Sequence, residues 1–480
     1  MMVAAHDSST FRRAGVRRPA LTRHRKRVER GQRKRGVALI LAITAIAILS
    51  VVLADMHEST GTGFAIAAQQ RDQLRAEYMA RSGLNLTRLL VAQRETVRAA
   101  VAPYYQALMG TNRTPDLAVW RVANRVLQPF CNFEASRALD TGINFGAVDG
   151  LGETNATCEI VAFAENAKIN VNAPLHFAGD QARRSIAMQL FSMMGGYQSP
   201  SPYDPLFQQR DRDGQFSSRE DIVAALIDWW DYDTDRTVFD PGAATVSSSG
   251  SEDDLYRRLD DPYEVRNAPF DTLEEIRLVR GVGDDFWATF VDPNPERPDS
   301  RIVTIYGSGR VNINEAPPEV LLARVCSFFE QEVLCSNAQE AAKFIQLLRT
   351  ARDMIPLPLF PHEEAFMEFI EGRGGARSLY PMLQGFLGPD SPLLFTPLTI
   401  PAARRREVFD VLVSSARIVT IEVTGLSGCR STDEDTGECL GYRGRTRLRT
   451  VMNFHERWSP PPPNAGGMPG LGIFHYYRVE

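Results

Sequence analysis

The stretch from Arg33 to Glu58 constrains this chain most. A basic cluster ending in Gly36 precedes Val37 to Ala54, and Asp55 and Glu58 follow. The eighteen residues Val37 to Ala54 carry no charge. As a helix they would extend roughly 27 Å, close to the hydrocarbon thickness of a bilayer. A helix satisfies its backbone hydrogen bonds internally, which a lipid-crossing segment requires. The basic flank should stay cytoplasmic, placing everything after Ala54 on the far side. Cleavage as a secretory signal would need a small-x-small site after the apolar run, and Val52-Leu53-Ala54 is a poor one.

The net charge of −5 hides an asymmetry. Residues 1–36 hold twelve Lys and Arg against Asp7 and Glu29, which leaves the remainder at −15. A basic tail suits an anionic lipid surface, whereas an acidic exterior part is a poor binder of nucleic acid. At 480 residues and 44% hydrophobic composition the chain can bury a large core. The six cysteines fall in three sequence-local pairs, Cys131/Cys158, Cys326/Cys335 and Cys429/Cys439. Beyond a membrane anchor, such pairs point to disulfides in an oxidising compartment. No C-x-x-C and no histidine at ligand spacing supports zinc.

Hydrophobic periodicity extends the first helix past Asp55, with Gly61 and Gly63 as weak points where it could bend. Further helices are expected over Trp120–Leu127, Gln181–Met194, Ile222–Trp230, Thr272–Val279 capped by Asp271, Ala338–Arg352 and His362–Glu371. Strands are expected near Phe133, over Cys158–Ala164, Ile418–Val423, Thr446–Phe454 and Ile473–Val479. The segment Lys168-Ile169-Asn170-Val171-Asn172-Ala173-Pro174 is echoed by Val311-Asn312-Ile313-Asn314-Glu315-Ala316-Pro317. Helices in the middle and strands near the end imply a helical insert in an α+β scaffold.

Two acidic constellations have hard-cation chemistry. Residues Gln209 to Glu220 follow EF-hand spacing through Asp211, Asp213, Gly214 and Glu220, although a neutral Gln209 opens the loop. The second gathers Asp228, Asp231, Asp233 and Asp235, then Glu252, Asp253 and Asp254. Such carboxylates repel one another unless water or a cation compensates, so a solvated acidic face and a metal site both fit the spacing. The turn Gly281-Val282-Gly283 after Leu273–Arg280 has helix-hairpin-helix form. In DNA-binding versions the turn meets a phosphate, but Asp284 and Asp285 would repel one, so the turn reads as a packing device. No H-E-x-x-H, G-x-S-x-G or Walker loop is present, and no catalytic residues are assigned.

Together, the Gly36/Val37 junction, Lys168–Asn172, Ile227–Asp233, Glu252–Tyr256, Leu273–Gly281 and Val311–Leu321 resemble the K-type minor pseudopilins of type II secretion systems. The resemblance implies an α+β fold: a pilin-like long N-terminal helix plus a small antiparallel sheet, interrupted by a large, mostly α-helical domain. The expected boundaries are 1–36 for a prepilin-type leader and 37–100 for the membrane-spanning pilin helix. The α+β domain begins at 101–172, the insert covers 173–400, and the closing strands are 401–480. It further implies cutting between Gly36 and Val37 by a prepilin peptidase, methylation of the new N-terminus, and a single-pass place in a bacterial inner membrane with the bulk in the periplasm. Expected partners are I- and J-type minor pseudopilins, the major pseudopilin and membrane lipid, with no nucleic acid.

Calcium is the implied cofactor, at Asp231, Asp233, Asp235, Glu252, Asp253 and Asp254, with Asp211, Asp213 and Glu220 as a second set. Leu41 is the fifth residue after the junction, where most pilin-like subunits carry Glu. That carboxylate is thought to meet a neighbour's N-terminal amine, so its loss fits a subunit with nothing above it. The implied role is structural: capping and helping to nucleate a periplasmic pseudopilus for protein secretion. The alternative is a membrane-anchored helix-hairpin-helix protein for DNA binding or uptake.

Overall fold

The apolar run does become a helix, and it does not stop at the charged residues behind it. The computed structural model describes residues 34–131, 156–172, 180–454 and 470–480, apart from 209, 211–213, 215–216, 255, 260, 356, 376–377 and 434–438. Helix α1 (Lys34–Ala92) continues through Gly61 and Gly63. Contacts divide the chain into two units, residues 1–68 and 69–480. In the first, α1 is long and apolar enough to cross a bilayer, and the side chains from Val37 to Leu53 are exposed.

From Gln69 onward α1 lies on a four-stranded antiparallel sheet ordered β1 (Ala156–Ala164), β8 (Ile418–Thr432), β9 (Cys439–Asn453), β10 (Ile473–Val479). Ala76, Ala80 and Leu84 of α1 and Ile421, Val423 and Leu448 of the sheet are all buried. Two glycines permit the close approach. A Cβ on Gly425 would sit 1.9 Å from the Ala76 carbonyl oxygen, and one on Gly444 would sit 2.3 Å from that of Asp72. Helices α2 (Arg94–Met109) and α3 (Ala123–Cys131) bridge α1 and β1. All three cysteine pairs are bonded: Cys131–Cys158, Cys326–Cys335 and Cys429–Cys439.

The helical insert is built on one frame used twice. In the first copy, β2 (Ile169–Asn170) pairs in parallel with β5 (Val303–Thr304) and is followed by α4 (Asp180–Met193) and α5 (Arg219–Trp230). In the second, β6 (Val311–Asn312) pairs in parallel with β7 (Leu412–Val413) and is followed by α6 (Pro318–Cys326), α7 (Ala338–Met354), α8 (Glu363–Ile370), α9 (Leu379–Leu387) and α10 (Ala402–Asp410).

The repeated asparagines do the same work in each copy. The Asn172 amide donates to the Phe270 carbonyl at 2.9 Å and accepts from the Phe270 N–H at 3.0 Å. The Asn314 amide treats Phe360 identically, at 2.8 and 2.9 Å. A carboxamide is the side chain that can offer one donor and one acceptor to a single residue's backbone. Helix α10 and strand β7, both beyond residue 400, complete the second copy.

Other expectations needed adjusting. The segment Leu273–Leu278 is a 3-10 helix whose N-cap is Thr272, closed by a capping box with Glu275, while Asp271 pairs with Arg266. The capping box wins because Glu275 reaches the Thr272 N–H at 3.1 Å. The acidic region from 204 to 261 holds an antiparallel hairpin, β3 (Asp235–Asp240) with β4 (Thr245–Ser251). The strand expected near Phe133 lies outside the described residues.

Candidate metal centre

Helix α5 begins with a capping box, the Asp221 N–H donating to the Ser218 hydroxyl and the Ser218 N–H to the Asp221 carboxylate, each at 3.1 Å. Every residue from Ile222 to Trp230 is buried, Asp228 among them. Trp229 anchors the helix end, with its ring centroid 6.0 Å from Tyr256 and 6.3 Å from Phe270. The hairpin returns β4 so that Glu252 enters next to the α5 terminus, its N–H donating to the Thr234 carbonyl at 3.3 Å.

Asp228, Asp231 and Glu252, all buried, thereby offer oxygens that lie within 4.8 Å of one another. The Asp228 carboxylate accepts from the Thr237 N–H at 2.8 Å. Asp231 reaches Arg183 of α4 at 3.2 Å through one oxygen, while its other oxygen and both of Glu252 are buried without a partner. Burial, then mutual repulsion with the neighbouring aspartates, pushes Asp231 up to about 7 and Glu252 up to about 8. Burial also raises Asp228 to about 6, against the opposing pull of its bonds to Thr237.

A buried carboxylate with no partner costs free energy unless it is protonated or charge-compensated. Three carboxylates of which only Asp231 is ion-paired to an arginine among the described residues, with three orphaned oxygens, form a donor set that a hard, oxygen-seeking dication would complete, and calcium accepts irregular oxygen sets most readily.

The other acidic residues lie elsewhere. Asp233 shares Arg183 with Asp231, at 3.2 Å, and its carboxylate caps the Asp235 N–H at 3.0 Å, so it stands at the rim. Asp235 and Asp254 are exposed, and Asp253 pairs with Arg257 at 2.9 Å and accepts from the Val265 N–H. Glu220 lies in the first turn of α5, while Asp211 and Asp213 lie outside the described residues. Sequence reasoning missed Arg183, whose role arises only because α4 packs against α5. Gly36 and Val37 fall in the first turns of α1. The glycine turn at Gly281 is backed against α5, since a Cβ there would meet Ile222 at 2.6 Å, and Arg277 is paired with Asp284 at 2.6 Å. A turn packed this way acts as a spacer.

The family model for type II secretion system (T2SS) protein K matches residues 167–290, which hold β2, α4, α5 and the carboxylate cluster but not β5. The type II secretion system protein K of Aeromonas hydrophila is 29% identical over 145 residues, covering 29% of this chain and 38% of that protein. A chain of the GspK-GspI-GspJ complex from the enterotoxigenic Escherichia coli type 2 secretion system overlays 86% of this chain and 99% of its own length, at 12% identity and a TM-score of 0.42. An overlay of that quality adds nothing to the fold described above. The resemblance to K-type minor pseudopilins is borne out by the first two findings.

Proposed function

We propose that this chain is a K-type minor pseudopilin: an inner-membrane subunit whose retained apolar helix assembles with partner pseudopilins and whose large outer domain caps the assembly. The observation that carries the reading is the match of residues 167–290 to the protein K family, on a chain whose exposed apolar helix runs unbroken into a sheet-packed one. Val37 to Ala54 would lie in the membrane, with Ala38, Ala42, Ala45 and Ala47 allowing close approach of sister helices. The partners on this reading are I- and J-type minor pseudopilins and the major pseudopilin.

A glutamate at position 41 would be costly in lipid without a partner charge. Leu41 is therefore compatible with a subunit that has no neighbour above it. Calcium, when bound, would supply the positive charge that the cluster lacks. Asp228, Asp231 and Glu252 would hold it, with Asp233 at the rim, fixing the hairpin to the end of α5. The helix-hairpin-helix alternative is disfavoured, because Asp284 and Asp285 directly follow the turn and Arg277 is already matched to Asp284.

Mass spectrometry of the mature protein, made with and without a prepilin peptidase, tests the reading. A peptidase-dependent start at Val37 is expected. A chain left uncut, or cut beyond Ala54, would overturn it.

A further inference from the structure

Strand β1 is the outermost strand of the sheet, with β8 on one side. The Ile160 N–H donates to the Asn124 side chain at 3.0 Å and so faces away from β8. In an antiparallel ladder the N–H and C=O of one residue point the same way and alternate along the strand. Ala162 therefore presents both groups outward, and neither has a partner there among the described residues. A row of unpaired edge groups is a template for another strand.

This edge is recessed. A cleft of about 460 Å³ runs along Ile160–Ala164 and is also lined by Trp120, Arg121, Arg297, Asp299 and Glu315. Arg121 pairs with Glu315 at 2.7 Å, and Arg297 with Asp299 at 3.0 Å. Each arginine on the walls is matched by a carboxylate, so the cleft offers no net charge to a charged ligand. Its unmet demand is for backbone hydrogen bonds.

We propose that the β1 edge accepts an uncharged, proline-free, extended segment of another polypeptide, which pairs with Ala162 as a fifth strand of the sheet. Asn124 occupies the donor at Ile160 and so fixes where pairing starts. The inference stands apart from the secretion reading, because it rests on the sheet edge alone.

The test uses the full-length protein in detergent and a fluorescent acetyl-Thr-Val-Thr-Val-Thr-amide probe, compared with the same peptide N-methylated at alternate residues. Binding at least tenfold tighter for the unmethylated probe is expected, together with at least tenfold slower hydrogen exchange at the Ala162 amide when it is bound. Ala162→Pro should lose the binding while keeping the fold, since proline is tolerated where the lost N–H faces out of the sheet. The methylated peptide tests the same backbone pairing on the unaltered protein. An Ala162 amide already slow to exchange without probe would show the edge to be filled and overturn the proposal. Equal binding of the two peptides, unchanged binding to Ala162→Pro in a folded variant, or no binding at millimolar probe would overturn it as well.

Discussion

The two copies of the insert frame share a backbone and differ in charge. In both, an asparagine two residues past a short parallel strand clasps a phenylalanine backbone, Asn172 with Phe270 and Asn314 with Phe360. In the second copy only Ile355–Leu359 separates α7 from Phe360, and the space around it fills with rings, Phe360 lying 5.2 Å from Phe366 and Phe344 5.3 Å from Phe395. In the first copy Asp231–Pro269 intervenes, bringing the β3–β4 hairpin and two buried carboxylates, Asp231 and Glu252, that join Asp228 of α5. The asparagine clasp is hydrogen-bonded in both copies, whereas three oxygens of the inserted cluster have no partner. The first copy therefore carries an internal demand for positive charge.

Breaking the frame should have the largest effect. Asn172→Ala and Asn314→Ala each strand a buried N–H and a buried C=O. A loss of about 2–4 kcal/mol is expected for each in denaturant unfolding, and similar values would confirm that the frames are equivalent. Markedly unequal losses would break the comparison.

Calcium should act on one copy only. At a hundredfold excess over its dissociation constant, stabilisation of about 2.7 kcal/mol is expected. It should appear as slower hydrogen exchange in α5 and the hairpin but not in α7 or α8, and Asp231→Asn or Glu252→Gln should abolish it.

The metal-free protein should lose stability as pH rises. The cluster carboxyls have folded pKa values of about 6 to 8, above their ordinary range. Between about pH 4 and 8 the folded state therefore holds more protons than the unfolded one, and ΔG of unfolding falls with increasing pH across that window. Thermal melts in chelator should show this, and Glu252→Gln should flatten it while stabilising the metal-free protein at pH 8 by on the order of 1 kcal/mol. Calcium should oppose the trend. The smallest effect is expected at the exposed Asp254, where Asp254→Ala should change stability by less than about 0.5 kcal/mol and leave calcium stabilisation intact.

Local pattern carried much of the fold. An uncharged run of helical length can only be a helix in lipid, so Val37–Ala54 was legible as such. The repeated Asn-x-Asn segments announced the double frame, and short spacing announced the disulfide partners. The strand-forming runs Ile418–Val423 and Thr446–Phe454 located β8 and β9, which run longer, over Ile418–Thr432 and Cys439–Asn453. What pattern could not carry was selection among many acidic residues. Asp231, Asp233, Asp235, Glu252, Asp253 and Asp254 look alike in sequence, yet only Asp231 and Glu252 among them are buried together, with Asp228 as the third.

That sorting belongs to tertiary structure, because a carboxylate's chemistry is set by what surrounds it. Burial and crowding are properties of the space between α5 and the returning hairpin, and Arg183 arrives there from α4, far away in sequence. The same holds for the free side of β1, whose strand was evident from its residues but whose edge position depended on where β8 pairs. The sequence thus decided which elements form and which backbone groups they satisfy internally. Only packing decided which polar groups were left over, since an unmet hydrogen bond or charge is defined by neighbours that the chain brings in from elsewhere.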